Sequence, residues 1–119
     1  MKSREATLQS SCVRWFRYQF PKLAMLLFHV PNGGSRNVIE ASNLKAQGVV
    51  PGVADLVLLV PACGYASLCI EMKAAKNNQT NLQRKFQQAA EAAGNKYIVC
   101  RSFDQFRDEI TAYLDGRPN

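Results

Sequence analysis

The period of apolar positions changes several times along the chain, and each change marks an element. From Arg4 to Gln19, Leu8, Cys12, Trp15 and Phe16 recur at helical spacing while Arg14 and Arg17 lie elsewhere around the cylinder, which predicts an amphipathic helix stopped by Pro21. Leu23 to Val30 is a mainly apolar run held between Pro21 and Pro31-Asn32-Gly33-Gly34, and it predicts a buried strand followed by a flexible loop. Val38, Ala41, Leu44 and Lys45 return to helical spacing, so Asn37 to Gln47 is expected as a short helix ended by Gly48. Val53 to Val60 and Ser67 to Met72 read as strands, and the tight Pro61-Ala62-Cys63-Gly64 link makes them an antiparallel hairpin. Thr80-Asn81-Leu82-Gln83 has the form of a capping box and opens a helix with Leu82, Phe86, Ala89 and Ala93 on one stripe up to Gly94. Lys96 to Cys100 is a fourth strand reached through that helix, hence parallel to the second hairpin strand with a right-handed crossover. A last helix begins at a second capping box, Ser102-Phe103-Asp104-Gln105, and buries Phe103, Phe106, Ile110 and Leu114. The order αβαββαβα describes an α/β domain with a mixed four-stranded sheet flanked by helices.

At 119 residues the chain suits one domain spanning 1–119. Its 47% hydrophobic and 20% charged residues exclude a disordered chain. No apolar run approaches the ~20 residues of a bilayer span, and the start of the chain lacks the apolar stretch of a secretion signal; cytoplasmic residence without membrane contact is the expectation. The four cysteines, Cys12, Cys63, Cys69 and Cys100, show no C-x-x-C spacing and His29 is far from all of them in sequence, so reduced thiols rather than a zinc site are expected. A net charge of +6 makes a polyanion a natural partner.

The chemistry concentrates in two places. Pro51-Gly52-Val53-Ala54-Asp55 sets a carboxylate near the start of the first hairpin strand, and Ile70-Glu71-Met72-Lys73 ends the second with acid and lysine two positions apart, therefore on one face, while Met72 points to the other. Counting outward from the turn makes Asp55 and Glu71 neighbours. Two adjoining carboxylates repel unless a cation lies between them, and oxygen ligands completed by water describe Mg²⁺ or Mn²⁺. Such an ion polarises a phosphoryl oxygen and acidifies water, with Lys73 placed to neutralise charge on the phosphorane, which suits phosphodiester hydrolysis. The alternative on spacing alone is a surface ion pair between Glu71 and Lys73 with Asp55 capping a turn. Glu5, one turn before Leu8, falls on the buried side of the first helix, where a carboxylate calls for a cationic partner; a favourable charge at a helix N-terminus is the competing role.

This order and spacing resemble the PD-(D/E)XK, restriction-endonuclease-like superfamily of nucleases, and within it the VRR-NUC branch, whose small stand-alone members occur in phage and prophage genomes. The resemblance covers nearly the whole chain. It rests on a first-helix glutamate, the loop His29-Val30-Pro31-Asn32-Gly33-Gly34, the stretch Gly48-Val49-Val50-Pro51-Gly52-Val53-Ala54-Asp55, the strand Ile70-Glu71-Met72-Lys73 and a following helix with Gln83. It implies a restriction-endonuclease-like fold and a Mg²⁺- or Mn²⁺-dependent DNA endonuclease. Asp55, Glu71 and the Met72 carbonyl would be metal ligands, Glu5 would join them directly or through water, and Lys73 would be the catalytic lysine. Gln83 would lie near the scissile phosphate or the lysine, although position N3 of a capping box gives it a complete structural role with Thr80. Asn77-Asn78-Gln79 departs from the more usual glycine-bearing link before that threonine. Implied substrates are branched DNA, four-way junctions or flaps, with a homodimer for paired incisions.

Other residues admit two readings. Asn32 and Arg36 lie in a glycine-rich loop whose amides suit a phosphate, or which simply turns the chain. Arg84, Lys85, Lys96 and Arg101 line a DNA-tracking surface or a solvated face. His29 reads as a buried or edge histidine rather than a general base. The competing class is a non-catalytic nucleic-acid-binding module of the same fold; an RNA-directed or strand-end nuclease is a second competitor, and a protein-interaction domain leaves the carboxylates unexplained.

Overall fold

The computed structural model describes residues 3–31, 38–74 and 76–118. Helix α1 (Arg4–Gln19) begins at Ser3, whose side chain accepts from the Ala6 amide, and leads into a 3₁₀ helix, Pro21–Leu26. Strand β1 (Leu27–His29), helix α2 (Val38–Ala46), strands β2 (Leu56–Leu58) and β3 (Leu68–Met72), helix α3 (Asn81–Ala92), strand β4 (Lys96–Cys100) and helix α4 (Phe103–Asp115) follow. The sheet order is β1-β2-β3-β4, with β1–β2 and β2–β3 antiparallel and β3–β4 parallel across the α3 crossover.

Period-two alternation in the central strands sorts side chains between two cores. Leu68, Ile70 and Met72 of β3, with Leu56, Leu58 and Cys100, pack against Cys12 and Phe16 of α1 and Phe106, Ile110, Tyr113 and Leu114 of α4. On the opposite face Cys69 and Tyr97 meet Ala54 and the α3 residues Phe86 and Ala90. All five residues of β3 are buried, as suits a central strand covered on both faces. Trp15 closes the first core edge-on against Phe20, Phe103 and Phe106 at 5.8, 6.0 and 6.2 Å between ring centroids.

Three expectations need correction. The run Leu23 to Val30 is not one strand: Pro21 takes the first position of the 3₁₀ helix, and only Leu27–His29 pairs, as an edge strand in which Leu27 alone is buried. Met25 in the middle of the run is 92% exposed. The first hairpin strand pairs over Leu56–Leu58 rather than Val53–Val60, although its antiparallel relation to β3 holds. The capping box at Thr80 is complete, whereas Gln105 accepts from the Arg101 amide rather than from the Ser102 amide, leaving only the Ser102-to-Gln105 half of the second. Helix α2 buries no residue: Ala41 and Leu44 are half-covered, while Val38 and Ile39 are exposed. Among the described residues no helix is long and apolar enough to cross a membrane.

Candidate functional site

The β2–β3 register pairs Leu56 with Ile70 and Leu58 with Leu68. One step further brings Asp55 beside Glu71, as counting from the turn predicts. The approach is fixed by backbone: Asp55 Oδ2 accepts from the Met72 amide at 2.7 Å, while the Asp55 carbonyl accepts from the Val30 amide at 2.9 Å and from His29 Nδ1 at 2.8 Å. A carbonyl oxygen only accepts, so His29 carries its proton on Nδ1. Upstream, the Pro51-Gly52 turn lies hard against the start of α3. Gly52 has φ +92°, and a Cβ there would fall 2.6 Å from the Leu82 carbonyl carbon and oxygen, so glycine alone fits.

Glu71 is 2% exposed and Lys73 9%. No salt bridge joins them among the described residues, which removes the surface ion pair as an account of E-x-K. Burial pushes the Glu71 carboxyl up to about 9, helped by a side-chain hydrogen bond to Asp55 and by the Asp55 charge; Lys73 and a hydrogen bond from Tyr97 act the other way but weakly. Glu71 is therefore the neutral, buried member of the pair, with Asp55 half-buried beside it. Every fully buried side-chain nitrogen and oxygen among the described residues has a partner, so the Lys73 ammonium, for which no partner is found, reaches the opening of the site.

Tyr97 and Gln79 belong to the site although sequence reasoning passes over them. The Tyr97 hydroxyl donates to Glu71 Oε1 at 3.4 Å, and Gln79 Nε2 reaches that hydroxyl at 3.2 Å and Gln87 Oε1 at 3.0 Å. Burial raises the Tyr97 hydroxyl, keeping it a donor. The available signal was the alternation of β4, which puts Tyr97 on the face of Glu71; nothing in the sequence marks Gln79.

Glu5 reaches this region from α1, but not to a cation. Its Oε1 accepts from the Ala74 amide at 3.1 Å and from Asn77 Nδ2 at 3.3 Å, so hydrogen-bond donors next to Lys73 satisfy it in place of the expected positive partner. Gln83 performs its capping role in full: Oε1 accepts from the Thr80 amide at 2.8 Å and its own amide donates to Thr80 Oγ1 at 3.2 Å. Arg84 and Lys85 are exposed on α3, Arg84 Nη1 donating to Asn81 Oδ1 at 3.1 Å. Arg101 Nη1 donates to the Asn77 carbonyl at 2.7 Å and ties down the link after Lys73. Lys96 pairs with Leu68 at the end of the sheet away from Glu71, its ammonium over the Tyr65 ring, so it is not part of this site. Asn32 and Arg36 lie outside the described residues.

Among the described residues no three His, Cys, Asp or Glu side chains gather as a metal cluster. Asp55 and Glu71 come together as a pair, which is the donor set Mg²⁺ prefers, one or two carboxylates with water and substrate oxygens. Burial raises the Cys12 and Cys100 thiols to about 11 and about 12, so they are inert core groups; Cys63, by contrast, is exposed.

A mixed sheet with an aspartate beside an acid-x-lysine strand, flanked by helices on both faces, is an α/β fold of the restriction-endonuclease-like class. A solved structure described as a VRR_NUC domain protein is similar to it at a TM-score of 0.84, with 98% of this chain and 93% of that one covered and 23% identity. The chain thus has the VRR_NUC fold. No protein-family model and no curated protein matches the sequence.

Proposed function

We propose that this chain is a Mg²⁺- or Mn²⁺-dependent DNA endonuclease. The observation that supports this most is the pairing of the half-buried Asp55 with the buried Glu71, with Lys73 two residues on and no salt bridge to Glu71 among the described residues. A carboxylate withdrawn from water, as Glu71 is, is costly unless a proton or a cation neutralises it, and a divalent ion would serve both acids of the pair at once. When bound, a divalent ion supplies charge stabilisation to a phosphoryl group and an acidified water.

The chain's own residues do the rest. Asp55, Glu71 and the Met72 carbonyl would hold the ion, with Glu5 contributing through water. Asp55 is oriented by the Met72 amide and Glu71 by Tyr97, so neither has to reorganise on loading. Lys73 neutralises charge developing on the transferred phosphoryl oxygens. Gln83 offers its amide nitrogen to the scissile phosphate, its oxygen being held by Thr80. Arg84 and Lys85 bind backbone phosphates, as do Asn32 and Arg36 in our reading. DNA shape is the determinant we assign, and four-way junctions or flaps are the substrate class; a homodimer would supply a second incision.

The test is cleavage of labelled junction, flap and linear duplex DNA with Mg²⁺ or Mn²⁺ by the intact protein, Asp55→Asn and Lys73→Met. Loss of about 10²–10³-fold or more in both variants, with DNA binding kept, is expected. Binding without cutting by the intact protein under every metal condition would favour the non-catalytic module instead.

A further inference from the structure

A groove of about 410 Å³ runs beside α1, lined by Gln9, Ser10, Val13, Arg14, Arg17 and His29. Its near end is tied to the proposed reaction centre by the His29 hydrogen bond to Asp55. His29 Nδ1 donates to the Asp55 carbonyl at 2.8 Å and lies 3.0 Å from Gln9 Nε2, and Gln9 sits one helical turn beyond Glu5, which accepts from the Ala74 amide. Because Nδ1 is committed, His29 has only Nε2 left for the groove. At the far end Arg14 and Arg17 are exposed, and neither forms an ion pair among the described residues. Of the two acidic side chains that flank this line, Asp55 turns to Met72 of β3 and Glu5 to the Ala74 amide just past that strand.

We infer that this groove seats the DNA strand on one side of the cut, with Arg14 and Arg17 pairing with its phosphates and Gln9 and His29 guiding the backbone into the centre. The inference rests on the proposed nuclease reading and adds a binding track to it. The lengths agree: Gln9 to Arg17 spans ~12 Å of helix at ~1.5 Å per residue, which matches three to four nucleotides at ~3.4 Å of axial rise per phosphate on one strand. Guanidinium groups suit phosphate oxygens through paired donors. The groove is open, every lining residue but Val13 carries a polar group, and no Trp, Tyr or Phe among them offers the platform on which unpaired bases stack; it serves a strand held in a duplex arm.

The experiment is binding of fluorescently labelled junction and duplex DNA in EDTA, by anisotropy, across a salt series. The proteins are the intact chain, Arg14→Gln/Arg17→Gln, and the charge-matched control Arg107→Gln/Arg117→Gln, whose arginines lie on α4 and just past its end. Glutamine keeps helix propensity, and circular dichroism checks folding. Each phosphate contact contributes about 0.9 to the slope of log affinity against log salt. The groove variant should lose about 1.8 of slope, so between 50 and 200 mM salt the intact protein loses about 12-fold more affinity than the variant; the control should keep the intact slope. An unchanged slope in the groove variant, or an equal fall in the control, overturns the track while leaving the nuclease reading to its own cleavage test. Failure of the intact protein to bind DNA at any salt overturns both.

Discussion

Replacing Glu71 with glutamine should stabilise the metal-free protein and disable it together. In the fold the Glu71 carboxyl is pushed from an ordinary value of 4.5 up to about 9, mainly by burial and then by Asp55. Between those values the folded chain holds a proton that the unfolded chain has released, so stability falls as pH rises from about 4.5 to about 9. At pH 7 the difference is about 2.5 pH units, an upper bound of about 3 kcal/mol, which solvent reaching the pair reduces to about 2 kcal/mol. The introduced glutamine would copy the protonated acid: its oxygen accepts from Tyr97, its amide donates to Asp55, and it has no charge to bury. Thermal unfolding followed by circular dichroism in EDTA should therefore give Glu71→Gln a midpoint equal to that of the intact chain near pH 4.5 and about 6–12 °C higher at pH 7. Adding Mg²⁺ should reverse the order, raising the intact protein by about 3 kcal/mol at a hundredfold excess over its Kd and leaving the variant unmoved. A gap that stays constant from pH 5 to pH 8, or an intact protein that outlasts the variant in EDTA at pH 8, would refute the buried-acid argument.

Two further substitutions probe neighbouring parts of the site. Gln83→Ala and Thr80→Ala each remove half of the capping box, so each should cost about 1 kcal/mol in denaturant unfolding; only Gln83→Ala should also slow DNA cleavage, and equal rates for the two would leave Gln83 with the capping role alone. Gly52→Ala combines a left-handed backbone with a Cβ 2.6 Å from the Leu82 backbone. It should cost about 2–4 kcal/mol, read as a lower unfolding midpoint, and weaken cleavage by shifting the strand that bears Asp55; a neutral effect would show that the turn yields freely.

Where the sequence was legible, local rules decided the outcome. Helix α1 and strand β4 have the bounds that periodicity predicts, because proline, glycine and caps punctuate them. Asp55 falls beside Glu71 because a short hairpin leaves one register open. Leu23 to Val30 misled because an apolar run without a period says nothing about which residues are covered: Met25 faces solvent and Pro21 favours a tight helical turn. The partner of Glu5 was unreadable for a different reason. Burial demands satisfaction but not its kind, and a backbone amide at Ala74 answers as well as a cation. Tyr97 and Gln79 join the site only through the parallel β3–β4 pairing, in which Glu71 lies opposite Val99 and Cys69 opposite Tyr97. That register is set by tertiary packing.

The hydrogen bond from the Ala74 amide to Glu5 closes a separation of 69 residues. Helix α1, synthesised before the other elements described, must therefore wait for most of them before its acid finds its place, and β4, which orients Glu71 through Tyr97, arrives later still. At roughly 5–20 residues per second of synthesis, the proposed centre stays dismantled for seconds and assembles only as the entire domain condenses. Chains cut short, stalled or partly unfolded would lack it. On the proposed function, such a centre would be silent in every state but the finished one, a safeguard for the nucleic acid around it that needs no inhibitor.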